Sequence, residues 1–333
     1  MTGTDVSLMN PFVVATENCR PENLDQVGGK AVGLGSLMRA GQRVPASFVV
    51  TAAAHLDYIG SEPRRLIEPV RQAIADAYSA LCAPNGGDLS VAVRSSATVE
   101  DSTEASCAGQ FRTYLGAAGA EEVLYQVEQC WIAALEPHVG SYRADRQIAS
   151  GDDAVAVVVQ DLVDARAAGV MFTQHPRTGD RSLVVIEASY GLGEAVVGGE
   201  ITPDLFEVNR ITQQVHHSSM GAKPIAHRLA PDRRGVRTVP VEPELQQSWS
   251  VTDDEVMALV AMAGDLESKL GRGLDVEWAI GRTGGSQDEA LFALQVRPIT
   301  VGPRHRAAST PNMDAIDHIL GRFAGREPGN ADR

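Results

Sequence analysis

Several things are scarce in this 333-residue chain, and each scarcity excludes something. No stretch approaches the run of about 18 apolar residues that a membrane-spanning helix needs. The N-terminus, MTGTDVSLMNPFVV, has neither the basic nor the apolar region of a secretory signal. Cys19, Cys82, Cys107 and Cys130 lie far apart and form no C-x-x-C pair. Neither a zinc knuckle nor a redox motif is signalled, and reduced thiols in a cytoplasmic protein are the expectation. Positive charge is in deficit: 29 Lys and Arg stand against 43 Asp and Glu, a net charge of -14. That argues against nucleic acid and anionic membrane as partners, since both want a basic face. Of the basic residues only Lys30, Lys223 and Lys269 are lysines. A lysine set between glycines, as Lys30 is in GGKAVG, therefore stands out.

What is present is a globular pattern. Hydrophobic residues make up 44% of a chain long enough for two or three small domains or one composite fold. Residues 28–41, GGKAVGLGSLMRAG, read as a glycine turn entering a helix that buries Leu34, Leu37 and Met38 and stops at Gly41. VPASFVVT (44–51) reads as a short buried strand. Residues 64–83 show helical apolar spacing, and a helix or helix pair is expected over 121–149, broken near Pro137. From residue 154 the pattern changes to strands: AVAVVVQDLV, AAGVMFT, SLVVIEASYG, DLFEVNR and QQVHHSS. Residues 221–250, with four prolines and little periodicity, read as a long surface loop. Thr252 and Glu255 form a capping box, with Val251 and Val256 placed as a hydrophobic staple, opening a helix that runs to about Gly271. The strands GLDVEWAIG and ALFALQVRPIT follow. A polar tail comes after Pro303, with a short helix expected over 312–324.

Four segments carry chemistry. In GGK (28–30) the glycines can turn backbone N–H groups toward an anion and Lys30 adds a full charge; the bland alternative is a helix start with a solvated lysine. In VAVRSSATVEDSTEASCAGQFRTYLG (91–116) a buried strand runs into Arg94, whose guanidinium suits bidentate contact with phosphate. Ser95, Ser96 and Thr98 offer hydroxyls, and the small residues from Ala105 to Gly109 can fold over a ligand; the alternative is an Arg94 ion pair with Glu100 or Asp101. In IEASYGLGEAVVGGEITPD (186–204) glycine-rich turns flank Glu194 and Glu200, which tight turns alone also explain. In DVEWAIG…LFALQVRPIT, Glu277, Gln295 and Arg297 lie within strands, where inward-facing polar groups are costly unless paired or metal-bound. Glu277 and Gln295 offer oxygens that suit Mg²⁺, and Arg297 shares the strand face of Gln295. A Glu277–Arg297 cross-strand ion pair is the alternative.

In this order GGK, RSSATVED with AGQ, a Gln before a GVMFT strand, GLGE, and DVEW with QVRPIT resemble the N-terminal nucleotide-binding module of the phosphoenolpyruvate synthase and pyruvate phosphate dikinase family. Rifampicin phosphotransferases and phenylphosphate synthases are similar. The resemblance spans residues 17–302. It implies an α+β, ATP-grasp fold: an N-terminal subdomain at 1–150, a β-rich subdomain at 151–302 with the nucleotide between them, and a polar tail at 303–333. It implies ATP and Mg²⁺ as ligands. Lys30 and Arg94 would grip the phosphates, and Arg297 would contact them. Gly109 and Thr113 would lie in a loop over the nucleotide, and Gln160 would sit in the adenine region. Glu277 and Gln295 would hold the metal, with Glu187 and Glu194 behind them. Lys30 and Arg94 are expected to be replaceable without cost to the core.

The family passes phosphate through a histidine in a T-S-H-A-like motif on a swivelling domain. None of the eight histidines here lies in such a motif, and His175, in FTQHPRTGD, is a weak substitute. The resemblance therefore implies a split phosphotransferase, in which this chain binds Mg-ATP and the phosphohistidine and the acceptor belong to a separate protein. A nucleotide-binding regulatory subunit without turnover, and a free-standing ATP-grasp ligase, are the alternatives.

Overall fold

The structure is a computed structural model, and it describes residues 10–97, 112–135, 154–283, 286 and 288–299. Within these, two antiparallel sheets are flanked by helices, the α+β organisation expected. The first sheet has the order β1-β2-β5-β3-β4, formed by Val13–Ala15, Ser47–Val50, Ala156–Asp161, Ser90–Ser96 and Thr113–Ala118. The second has the order β13-β12-β6-β7-β8-β9. Its strands are Ala290–Pro298, Leu274–Arg282, Asp164–Phe172, Leu183–Tyr190, Asp204–Asn209 and Gln214–Ser219. The first sheet extends past residue 150, because β5 fills its centre, and the chain crosses to the second sheet at Leu162 and Val163.

Alternation along the strands sets the layers. One face of the first sheet packs Val91, Val93, Val157 and Val159 against helices α2 (Ala52–Gly60), α3 (Glu68–Cys82) and α4 (Ala120–Ala134). Helix α3 starts later than the spacing of 64–83 suggests because Pro69 is tolerated only in its first turn. The expected helix at 121–149 is described only as far as α4, and the one at 312–324 lies outside the described residues. The other face of the first sheet shares a core with α1 (Leu24–Arg39), with Val276 and Trp278 of the second sheet and with the long helix at Asp253–Leu270. Gly33 lets α1 approach β13, since a Cβ there would lie 2.7 Å from the Val296 carbonyl oxygen. Cys19 and Cys130 are buried free thiols, each pushed up by burial to about 12.

The capping box at Thr252 and Glu255 forms, and the helix it opens ends at Gly271. The expected loop at 221–250 is instead ordered structure. It holds a two-stranded ribbon, β10 (Ile225–Leu229) with β11 (Val236–Pro240), followed by the short helix α6 (Pro243–Gln246); another short helix, α5 (Glu194–Val197), comes earlier in the chain. The prolines that suggested a loop fall at the ribbon's ends, where a missing N–H costs least. Lys223, fully buried, anchors the segment: its Nζ donates to Asp204 Oδ1 at 2.5 Å, while Asp204 Oδ2 accepts from the N–H and hydroxyl of Ser250 at 2.8 and 2.7 Å. A buried carboxylate with every oxygen bonded is tolerable where a bare one is not.

The turn of this ribbon clamps onto the first sheet. Gly235 N–H donates to the Gly116 carbonyl at 2.8 Å and Arg234 Nη1 to the Ala118 carbonyl at 2.9 Å. Gly116 has φ +83°, and a Cβ there would lie 2.6 Å from the Gly235 backbone. Gly116→Ala is expected to cost about 3 kcal/mol. The check is a lower urea midpoint, and an unchanged one would show that the clamp carries no stability.

Candidate functional site

The two sheets touch along a small apolar seam, where Ala92 of β3 packs with Ala168, Ala279 and Phe292 of the second sheet and with Leu162 and Val163. Residues two apart on a strand share a face. Arg94 lies two residues beyond Ala92, and Glu277 two residues before Ala279. They therefore project into the same opening beside the seam. Arg94 Nη2 donates to Glu277 Oε2 at 2.8 Å and to Gln295 Oε1 at 2.7 Å. Register places Gln295 directly opposite Glu277. The ladder then slips between Glu277 and Trp278, leaving Leu294 without an opposite residue, and its carbonyl accepts from Arg94 Nη1 at 3.4 Å. The bulge is thus part of the site: it turns a strand carbonyl toward the guanidinium.

Arg297 sits opposite Asp275 in the register, and its Nε donates to Asp275 Oδ2 at 2.9 Å. This corrects the Glu277–Arg297 alternative. Directly opposed side chains are the near pair on an antiparallel ladder and diagonal ones the far pair, so Glu277 takes its hydrogen bond from Arg94. Burial would push the Glu277 carboxyl up. The charge and hydrogen bond of Arg94, then the charges of Arg297 and Lys30, outweigh burial and hold it below its ordinary 4.5. Glu277 is therefore ionised at neutral pH, with three cations around it.

Lys30 is half-buried, two residues past a break in α1: Gly28 has φ 75° and ψ 167° inside the helix. The N–H groups of Gly29 and Ala31 do not point at an open anion site. Gly29 donates to the Ala97 carbonyl at 3.0 Å and Ala31 to Ser96 Oγ at 3.2 Å. The serine hydroxyls are likewise turned to protein, Ser95 Oγ donating to the Arg112 carbonyl at 3.2 Å and Ser96 Oγ to the Val27 carbonyl at 2.8 Å. The expected backbone cradle is thus filled by the end of β3, because the strand end and the glycine turn pack on each other.

Thr113 is exposed and lies opposite Arg94 on the β3–β4 ladder. Gln160 is paired with Ala92, at the level of the seam. It is 3% exposed, and its Nε2 has no hydrogen-bond partner among the described residues. A buried amide donor without an acceptor is costly. Gly109, Thr98, Glu100 and Asp101 lie outside the described residues. Glu187 shares the row of Glu277, two strands away through Val170. Glu194 pairs instead with the nearly buried His227, whose other nitrogen lies 3.2 Å from Glu200. His175 accepts the Arg177 N–H on Nδ1 at 3.1 Å and sets Nε2 3.5 Å from Glu207. Nδ1 serves the turn, and Nε2 faces Glu207 on β8. Sequence reasoning missed Asp275, adjacent in DVEW and equally inward-facing, and the Leu294 carbonyl, which no side-chain pattern announces.

Arg94, within β3, joins the two sheets, which argues against the expectation that it can be replaced without cost to the fold. The cluster suits a polyanion, with cationic groups from three elements converging on one face. For Mg²⁺, Glu277 and Gln295 supply hard oxygens, and phosphate oxygens and waters would complete the shell. Among the described residues no three His, Cys, Asp or Glu side chains converge as a metal cluster. The guanidinium of Arg94 bridges those same two oxygens here, so a metal bound to them would have to displace it in part.

Residues 62–318 match the family model described as the pyruvate phosphate dikinase, AMP/ATP-binding domain. The chain is 36% identical to a probable phosphoenolpyruvate synthase of Methanothermobacter thermautotrophicus, over 96% of this chain and 51% of that protein. It is 33% identical to a rifampicin phosphotransferase of a Streptomyces species, over 87% of this chain and 36% of that protein. Among solved structures, Cdc123 from Schizosaccharomyces pombe aligns at a TM-score of 0.39 with 13% identity, covering 82% of this chain and 84% of that one. The chain thus spans about half the length, or less, of the curated relatives it matches. The family-model match spans well over half of the chain, which therefore belongs to the family of pyruvate phosphate dikinase AMP/ATP-binding domains.

Proposed function

We propose that this chain is the Mg-ATP-binding part of a phosphoenolpyruvate synthase-like phosphotransferase of ATP-grasp type. It passes a pyrophosphoryl or phosphoryl group from ATP to a histidine carried on a separate swivel-domain protein. The observation that carries this reading is Arg94, reaching from one sheet to bind Glu277 and Gln295 on the other. A cation held between two oxygen donors, with Lys30 and Arg297 beside it, is the arrangement a polyphosphate and its metal would enter.

In this reading the nucleotide lies between the sheets. The amide of Gln160 meets the adenine near the seam, and Thr113, which opens β4 opposite Arg94 and not a loop, lies beside the phosphates. Lys30, Arg94 and Arg297 grip and neutralise phosphate oxygens, while Glu277 and Gln295 hold Mg²⁺. The metal, when bound, offsets charge on the phosphates. The protein does little covalent chemistry itself, and positioning with charge neutralisation carries the rate. When the incoming histidine nitrogen bonds to the β-phosphorus, the bond from that phosphorus to the oxygen bridging it to the α-phosphorus breaks, AMP leaves with that oxygen, and the histidine carries the pyrophosphoryl group.

Two measurements test the proposal. Calorimetric titration with ATP should show an affinity at least about tenfold higher with Mg²⁺ than with EDTA. With [β-³²P]ATP the chain alone should turn over little, and adding a protein with a T-S-H-A-like histidine should give AMP and acid-labile label on that histidine. Equal affinity in EDTA, or label on the chain's own His175 or His217, would overturn the reading.

A further inference from the structure

Ser96 closes β3 and is 1% exposed. Its hydroxyl donates to the Val27 carbonyl at 2.8 Å and accepts the Ala31 N–H at 3.2 Å. The next residue, Ala97, takes the Gly29 N–H at 3.0 Å. Gly28 seats the turn against the strand so closely that a Cβ would lie 2.0 Å from the Ser96 carbonyl oxygen. One hydroxyl thus joins the two residues that bracket the Gly28–Gly29–Lys30 turn, and Arg94 stands two residues earlier on the same strand.

We propose that Ser96 is a positioning residue: it touches no nucleotide, and it fixes the backbone of Lys30 relative to Arg94 so that two cations from separate elements act as one rigid clamp. A lysine side chain is long and floppy, and its rotamer entropy is lost on every phosphate contact. Holding its Cα at a set distance from a guanidinium already tethered to Glu277 removes the backbone share of that cost. The inference rests on the assignment of Lys30 and Arg94 to phosphate.

The test compares ATP with adenosine, which lacks phosphates, on the parent, S96A, K30A and the S96A/K30A double variant. ATP affinity follows from calorimetry and adenosine binding from saturation-transfer NMR. S96A should bind ATP about tenfold more weakly and adenosine as the parent does. In the K30A background the same change should add little, because Ser96 acts through Lys30. S96T should restore affinity, and S96C supplies the comparison if S96A does not fold. A parallel loss of adenosine binding, or additive losses in the double variant, would assign the hydroxyl to the fold alone and overturn the proposal. If K30A itself binds ATP like the parent, the phosphate assignment falls, and the inference with it.

Discussion

Arg94→Ala should remove measurable ATP binding and also weaken the ligand-free protein. Both effects follow from one guanidinium that bridges Glu277 and Gln295 across the two sheets. Loss of a charge-assisted phosphate contact in a partly closed site should lower ATP affinity by at least about 100-fold. The side chains of Arg94 and Glu277 are only 12% and 19% exposed. Removing one partner leaves the other charge poorly solvated, which costs about 3 kcal/mol. The acid response adds an independent check. In the parent the Glu277 carboxyl is held below 4.5 in the fold. Its contribution to stability is complete above that value and is lost as the pH falls through the lower folded one. Without Arg94 burial still pushes the carboxyl up and the largest opposing influence is gone, so this part of the acid-induced loss should flatten. Urea midpoints from pH 7 to about 3, through the range below 4.5, measure it. A variant with parental midpoint, acid response and ATP affinity would show that the bridge does neither job.

Gly28→Ala should be comparably severe by a different route. With φ 75° and ψ 167°, Gly28 occupies backbone space reserved in practice for glycine. A methyl group there would meet the Ser96 carbonyl oxygen at 2.0 Å and carbon at 2.4 Å, both backbone atoms at the end of a paired strand that cannot step aside. The variant should lose at least about 3 kcal/mol. Its ATP affinity should fall at least as far as that of K30A, since the lysine no longer sits on β3. Denaturant melts and calorimetry decide it. A melt within about 0.5 kcal/mol of the parent would mean that the turn is not seated on the strand as described.

Much of this organisation was legible from local pattern. The apolar runs at 154–161 and 167–173 became central strands, and T-x-x-E opened its helix, because burial of alternate or fourth residues and the filling of a helix end are written within a few positions. The proline-bearing stretch at 221–250 misled. Its ribbon is held by Lys223, Asp204 and Ser250, which are far apart in the chain and leave no periodic trace.

The sequence by itself determined which residues could carry the chemistry: a lysine after two glycines, an arginine leaving a buried strand, and a carboxylate and an amide facing inward from strands. Only the tertiary structure decided how they are matched. Arg94 and Glu277 are 183 positions apart and meet because Ala92 and Ala279 share the seam. Arg297 takes Asp275 because the register opposes them, and the Leu294 carbonyl turns inward because the ladder slips once. The glycine turn gives its N–H groups to the end of β3, where Ser96 waits for them. Composition and periodicity report how each residue is buried. Its partner is set by sheet order, strand register and bulges, which depend on contacts between segments that no local window contains.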